Sequence, residues 1–379
     1  MRILMTTDAV GGVWQYSLAL TRGLVEQQGC RVMLVCLGEP HSEDLAGLLP
    51  SDGVELVTLP LKLEWMPDGG KDVERGLEEI SRVIARWRPD LIHSNQFCFG
   101  LLEARLPKVV VAHSDVLSWR KWHLRERVET RHVASLRHDN ADPNLRAYRD
   151  LVAAGLSSAS AVVCPSYFMA RTLSEIYGCP SRVIHNGLWP DLYPSRPKEN
   201  VALVAGRLWD EAKGAATAVE AVRGLPLELH LLGPAAGPSG ETTFLPTAPN
   251  VRYLGRQSWQ QTREAMAGAR FYLATSSYEP FGLAALEAAF CGCTLIAAGT
   301  PAYREVWAEV AAYHCPGDPG AVRRQLERLL RSPDDAERLG SAARARAMER
   351  YTAGRMAEEY ANLYRSLLRG AGAGCSTLL

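Results

Sequence analysis

The chain has 379 residues, of which 47% are hydrophobic and 22% are charged, a composition typical of a folded globular protein with two or three domains, or two large ones. Its 42 basic and 42 acidic residues cancel, so no overall field favours nucleic acid or a basic partner. The first residues lack the apolar run of a signal peptide, and no stretch approaches the ~20 apolar residues that span a bilayer.

The first half of the chain alternates apolar strands with segments of helical period. The predicted strands are 2–7, 31–37, 54–59, 91–94, 109–113 and 161–164, and the predicted helices are 13–28, 73–87, 144–154 and 167–177. Strands that are apolar on both faces and alternate with helices indicate a parallel sheet covered on two sides.

One segment, 116–143, interrupts this alternation with two tryptophans among arginines, lysines and histidines. Such a composition fits a basic, aromatic surface that meets a membrane or an anionic acceptor. It also fits a mobile, solvated loop with a helix. We favour the loop, because the apolar content is low for membrane insertion.

A proline-rich segment of residues 186–200 has no periodicity and is typical of a linker. We therefore predict a first domain over 1–187, a linker over 188–200 and a second domain over 201–351. The strands predicted after the linker are 201–205, 227–232, 251–254, 271–277, 294–298 and 311–314, and the helices are 215–222, 259–267, 283–290, 303–307, 321–330 and 334–350. The pattern predicts two doubly wound α/β domains, with the ligand site in the cleft between them.

Two acids stand near a predicted helix start in the second domain, Glu279 in a loop and Glu287 in the helix itself. The unpaired N–H groups and the dipole at a helix start favour an anion such as a phosphate. A carboxylate further along can accept hydrogen bonds from hydroxyls. The stretch therefore suggests a hydroxyl-rich phosphate ligand such as a nucleotide sugar, and an ordinary strand–helix turn is the alternative.

Two cations, Arg207 and Lys213, occupy the loop that follows the first strand of the second domain. Arginine binds phosphate as a fork and lysine as a point charge, so the pair has the chemistry to clamp a diphosphate. A solvated pair of surface charges explains the same residues equally well.

In the first domain, Gly11 and Gly12 join the first strand to the first helix and let the backbone approach a ligand. The pair is not a dinucleotide fingerprint, and a simple turn explains it as well. A single histidine such as His113 is more often structural than catalytic, but its place at a predicted strand end favours a role in the cleft.

The nine cysteines are best explained as buried, reduced thiols, which indicates the cytoplasm. Cys291 and Cys293 are only two positions apart, which is not the spacing of a zinc site. We therefore predict no metal site.

In order and spacing, the Gly-Gly pair, RPDLIHSN, AHS, VIHNG, AGRLWDEAKG and EPFGLAALEA resemble the retaining nucleotide-sugar glycosyltransferases of GT-B fold over nearly the whole chain. The resemblance implies two Rossmann-like domains facing across a cleft, with the helix predicted over 352–368 packing back onto the first domain. It also implies a metal-independent, cofactor-free glycosyltransferase whose donor is a UDP- or GDP-sugar.

The resemblance assigns roles in the second domain. By analogy, Glu279 contacts hydroxyls of the donor sugar and Glu287 binds the ribose. The backbone of Phe281, Gly282 and Leu283 holds phosphate.

Further roles come from the same resemblance. Arg207 and Lys213 neutralise the diphosphate, the Gly11–Gly12 loop approaches the phosphates from the first domain, and His113 lies at the C6 side of the donor sugar. An epimerase or hydrolase on the same fold and a non-catalytic nucleotide-sugar-binding protein remain alternatives. The sequence names neither the base, the sugar, the acceptor nor the oligomeric state.

Overall fold

The computed structural model of the protein describes residues 1–9, 11–39, 48–128, 143–237, 240 and 242–373. The chain divides into two units, the first of Met1–Gly187 with Ala353–Leu379 and the second of Leu188–Thr352. The predicted linker, 188–200, lies in the second unit.

A seven-stranded sheet, parallel throughout, forms the centre of the first unit, in the spatial order β3-β2-β1-β4-β5-β6-β7. Its strands are β1 (Arg2–Asp8), β2 (Arg31–Leu37), β3 (Val54–Leu59), β4 (Leu91–Ser94), β5 (Lys108–Val111), β6 (Ala161–Cys164) and β7 (Arg182–Val183). β7 is not predicted from the sequence, because two residues are too few to show the alternation of a strand.

Five helices of the first unit precede the second unit in the chain. They are α1 (Gly12–Glu26), α2 (Gly69–Trp87), α3 (Val116–Val128), α4 (Pro143–Ser157) and α5 (Tyr167–Tyr177), and a short 3₁₀ helix covers Phe97–Leu101. Among the described residues, apolar side chains pack in clusters that include one with Leu4, Val35 and Ile80 and another with Val110 and Val152.

The segment 116–143 begins with α3, whose Trp122 ring packs edge-on against Phe168 at 4.9 Å between centroids. Lys121, also on α3, pairs with Glu175 of α5 at 2.6 Å. Residues 129–142 of this segment lie outside the described residues, and residue 143 begins α4.

A six-stranded parallel sheet forms the centre of the second unit, in the order β10-β9-β8-β11-β12-β13. Its strands are β8 (Glu199–Ala205), β9 (Glu228–Leu232), β10 (Val251–Gly255), β11 (Ala269–Ala274), β12 (Thr294–Ala298) and β13 (Ala312–His314). Its helices are α6 (Ala215–Val222), α7 (Trp259–Gly268), α8 (Leu283–Phe290), α9 (Pro301–Trp307), α10 (Pro319–Arg331) and α11 (Pro333–Arg350). The prediction of two doubly wound α/β domains is confirmed.

The last helix, α12 (Ala353–Ala373), belongs to the first unit and packs against α1. Its buried face carries Met356, Tyr360, Leu363 and Tyr364. Leu367, one turn further along the helix than Leu363, is only partly buried.

Two predicted strands end earlier than the sequence suggests. β11 stops at Ala274 rather than at residue 277, because Thr275 and Ser277 turn toward the loop after β8. The Thr275 hydroxyl donates to the carbonyl of Lys213 at 3.0 Å, and the Ser277 amide donates to the carbonyl of Ala212 at 2.8 Å. β5 likewise ends at Val111, two residues before His113.

All eight described cysteines carry free thiols, and six of them are buried. Over the described part of the chain, none of the helices combines the length and the apolar character needed to cross a membrane.

Candidate functional site

Each sheet has one point where its strand order reverses. In the second unit the chain winds outward from β8 to β10 on one side and from β11 to β13 on the other. Ligands of doubly wound sheets bind at the carboxyl ends of the two strands that flank such a reversal. The loop after β8 carries Arg207 and Lys213, and the loop after β11 carries Glu279. These three predicted residues therefore share one switch point.

Asp210 organises the loop that follows β8. One of its carboxylate oxygens accepts from the amide of Ala212 at 3.1 Å and the other pairs with the Arg207 guanidinium at 3.0 Å. The Asp210 side chain is almost fully buried, whereas that of Arg207 is about one third exposed. The guanidinium is therefore tied to the loop on one side and remains accessible to a ligand.

Lys213 and Glu279 contact each other directly, with 2.6 Å between Nζ and Oε2. Their side chains are 21% and 15% exposed, so water reaches the pair only in part. The hydroxyl of Ser276 lies 3.5 Å from the same carboxylate oxygen. The predicted phosphate-binding cation and the predicted sugar-binding acid thus form one charged pair.

Gly282 is the N-cap residue just before helix α8, and its φ of +94° lies in the left-handed region that favours glycine. A Cβ atom here would lie 2.8 Å from the ring of the buried Tyr303, so the position also lacks room. No side chain caps the helix, and no acid lies in its first turn. The backbone from Phe281 to Leu283 therefore has the arrangement expected of a phosphate-binding helix start.

Glu287 is only 6% exposed. Its Oε1 accepts a hydrogen bond from the hydroxyl of Tyr193 at 3.2 Å. Tyr193 was missed in the sequence, because it stands in the proline-rich segment interpreted as a linker. A tyrosine placed 94 residues before an acid leaves no local signal of the contact.

In the first unit the strand order of the sheet reverses between β1 and β4. Gly11 and Gly12 follow β1 and are exposed, and Gly11 is the N-cap of α1, with a φ of +82° and no side-chain cap. Asn95 follows β4 directly, and His113 follows β5 by two residues. The predicted residues of the first unit therefore lie at the carboxyl ends of β1 and β5, the two strands that flank β4.

His113 is half-buried, and its Nε2 lies 2.8 Å from Oδ1 of Asn95. The ring of Tyr16 meets the imidazole edge-on at 4.4 Å between centroids. Burial, with a smaller contribution from His93, lowers the pKa of His113 to about 3. The imidazole is therefore neutral near pH 7. Asn95 and His93 were not predicted as partners of His113. Both lie in RPDLIHSN, which contributed to the family resemblance but gave no local sign of a contact with His113.

We expect acidification to destabilise the first unit through His93, which is fully buried and whose pKa burial lowers to about 3. The unfolded chain takes up its proton near pH 6.5, so stability is complete above that pH and falls as the pH drops toward 3. His93 and His113 each contribute a loss of about 2 kcal/mol between pH 7 and pH 5, because both pKa values are lowered to about 3. Urea unfolding at both pH values measures the loss, and His93→Gln should make the acid limb about half as steep. An identical limb in the variant would contradict this assignment.

Two family models match the chain, Glycosyltransferase Family 4 over residues 10–192 and Glycosyl transferases group 1 over residues 189–346. With the two parallel sheets, these matches define a sugar-transferring enzyme. The chain is a glycosyltransferase of the GT-B architecture, as the sequence predicts.

A D-rhamnosyltransferase of Pseudomonas aeruginosa is 27% identical over 286 residues, which cover 70% of this chain and 67% of that protein. The sucrose-phosphate synthase of Thermosynechococcus elongatus shares the fold with a TM-score of 0.78 at 20% identity, over 98% of this chain and 100% of that one. The HepE protein of Anabaena, solved in complex with UDP-glucose, has a TM-score of 0.71 at 20% identity, over 97% and 100% of the two chains.

The described residues hold no cluster of three or more His, Cys, Asp or Glu side chains arranged to bind a metal ion. Whether the reaction uses a metal stays a prediction, as do the roles of the individual site residues.

Proposed function

We propose that the protein transfers a sugar from a nucleoside-diphosphate sugar to an acceptor, with retention of configuration at the anomeric carbon and without a metal ion. The observation that carries the proposal is the Lys213–Glu279 pair, 2.6 Å across, at the switch point between β8 and β11. A cation for phosphate and an acid for hydroxyls, held side by side, match a ligand that bears both groups.

In this proposal the donor diphosphate lies against Arg207, Lys213 and the start of α8 at Gly282. Glu279 keeps acceptor capacity while paired, because a carboxylate has about four lone-pair sites and Lys213 uses one. Glu279 therefore accepts from hydroxyls of the transferred sugar, and Glu287 binds the ribose while Tyr193 orients it. A UDP- or GDP-sugar is the proposed donor. The HepE protein of Anabaena, which shares the fold and was solved with UDP-glucose, supports a UDP-sugar.

The chemistry follows from where charge develops. As the bond from the anomeric carbon to the diphosphate breaks, that carbon becomes positive and the leaving oxygen becomes negative. Fixed cations and helix N–H groups aimed at that oxygen lower the barrier by about 3 kcal/mol for each well-placed donor. Attack from the same face, with the leaving phosphate taking the acceptor's proton, gives retention without a protein nucleophile.

In the first unit, we propose that Gly11 and Gly12 approach the phosphates and that His113 contacts the transferred sugar. We place the enzyme in the cytoplasm, and the free thiols of the described cysteines support a reducing compartment.

A thermal-shift screen of UDP-, GDP- and ADP-sugars tests the donor. A ligand that binds only the folded state at a hundredfold excess over its dissociation constant adds about 2.7 kcal/mol, and we expect one nucleotide series to do so. Free sugars serve as the control and should leave the melting temperature unchanged. The same screen with EDTA should give the same shifts.

Two outcomes would contradict the proposal. If none of the nucleotide sugars raises the melting temperature, the donor class is wrong. If EDTA abolishes the shift and Mg²⁺ or Mn²⁺ restores it, the metal-independent mechanism is wrong.

A further inference from the structure

The side chain of Asn95 has only one orientation that satisfies its neighbours in the first unit. Its amide nitrogen lies 2.7 Å from the backbone carbonyl of Thr6 and 3.1 Å from the hydroxyl of Ser17. A carbonyl can only accept a hydrogen bond, so the group facing Thr6 must be the NH₂. The other end of the amide, Oδ1, therefore faces His113 and His93.

This orientation determines which imidazole nitrogen carries the proton. An amide oxygen only accepts, so Nε2 of His113, 2.8 Å from Oδ1, must be an N–H donor. A neutral imidazole carries one proton, and Nδ1 of His113 therefore presents a lone pair. Among the described residues, none hydrogen-bonds to that nitrogen.

The same logic applies to His93, whose Nε2 lies 3.3 Å from Oδ1 of Asn95. With its proton on Nε2, the Nδ1 of His93 accepts from the hydroxyl of Tyr364 at 2.5 Å. The hydroxyl of Tyr16, 3.4 Å from Nε2, can share the donated hydrogen. A continuous chain of hydrogen bonds thus runs from α12 through His93 and Asn95 to His113.

We infer that Asn95 is a positioning residue that holds His113 as the Nε2–H tautomer and presents its Nδ1 as a hydrogen-bond acceptor to the ligand. The tautomer follows from the first unit alone. That the ligand is the donor sugar rests on the proposed function. An acceptor nitrogen binds a neutral hydroxyl and repels a carboxylate, so the inference favours donors of neutral sugars over donors of uronic acids.

Nuclear magnetic resonance of the full chain with ¹⁵N-labelled histidine tests the tautomer without any donor present. We expect the His113 signals, identified by their loss in His113→Gln, to show an unprotonated Nδ1 and a protonated Nε2. Asn95→Leu removes the accepting oxygen and should give a mixture of tautomers. A proton on Nδ1 in the wild type would overturn the inference.

Two further variants separate positioning from a merely structural role. Tyr364→Phe removes the bond to His93 but leaves that between Asn95 and His113, so the His113 tautomer should persist. Asn95→Asp places a carboxylate between the two imidazoles, and we expect His113 to titrate between about pH 5 and pH 8 in this variant but not in the wild type. A tautomer lost in Tyr364→Phe, or an Asn95→Asp variant whose His113 does not titrate, would overturn the role of Asn95.

The contact between His113 and the ligand is tested by a separate measurement. With a donor that the wild type turns over, Asn95→Leu should lower kcat/KM at least about twofold, because only the molecules with an unprotonated Nδ1 on His113 can accept from the sugar hydroxyl. Unchanged kcat/KM together with a mixed tautomer would overturn the contact with the sugar. A wild type that turns over no nucleotide sugar would instead contradict the proposed function, and the tautomer result would still stand.

Discussion

The single variants Lys213→Ala and Arg207→Ala should each reduce turnover by about 10²-fold or more. Each cation is held at the β8–β11 switch point by a short contact, Lys213 with Glu279 at 2.6 Å and Arg207 with Asp210 at 3.0 Å. In the proposed reaction both stabilise charge on the leaving diphosphate, so their loss raises the barrier. Initial rates at saturating donor measure the effect.

The matched control is Arg252→Ala in the same unit. Arg252 also pairs with a carboxylate at 2.6 Å, that of Glu228, but it lies on β10 and outside the proposed site. Its removal should leave turnover within a factor of about two, because exposed ion pairs contribute little to stability. Wild-type turnover in Lys213→Ala or Arg207→Ala would remove that residue from the mechanism.

Gly233→Ala should lower the stability of the second unit by at least about 4 kcal/mol. Gly233 has a φ of +134°, and a Cβ atom on it would lie 1.7 Å from the carbonyl oxygen of Gly206. Backbone at the ends of β8 and β9 would have to move apart to relieve this overlap. Because Gly206 precedes Arg207, the movement would also disturb the proposed site.

Gly224→Ala separates the effect of backbone conformation from that of crowding. Gly224 also has a positive φ, +72°, but a Cβ atom there meets no other atom within 4 Å. We expect it to cost about 1–2 kcal/mol, the strain of a left-handed residue alone. Calorimetric melting of both variants measures the difference. Equal shifts in melting temperature would show that the contact with Gly206 relaxes at little cost.

The pairing of Lys213 with Glu279 bears on how a donor enters. With no donor present, the acid partly neutralises the cation, so the buried charge of neither is left unpaired. In the proposed reaction, an incoming diphosphate would compete with Glu279 for Lys213. This competition offers a physical reason for discriminating against a ligand that has phosphates but no sugar hydroxyl to satisfy Glu279.

Local patterns in the sequence predicted most of the secondary structure. Strands β2, β3, β4, β6 and β12 and helices α5, α6 and α8 have the bounds that the periodicity indicates. The periods of strands and helices, and the glycines and prolines that end them, depend on neighbouring residues and can therefore be read locally. The alternation of elements was also sufficient to predict two parallel sheets, because consecutive parallel strands require a crossover.

Contacts between distant residues had no such signal. The order of strands places the loops after β8 and β11 at one switch point and the loops after β1 and β4 at another. The bond between His93 and Tyr364 joins residues 271 positions apart, and that between Tyr193 and Glu287 joins residues 94 apart. The sequence by itself determined the elements and the chemical groups available to a site. Only the tertiary structure decided which groups meet. Hydrogen bonds between residues far apart in the chain form only after the strands have taken their order in the sheet, and the period of a single segment does not determine that order.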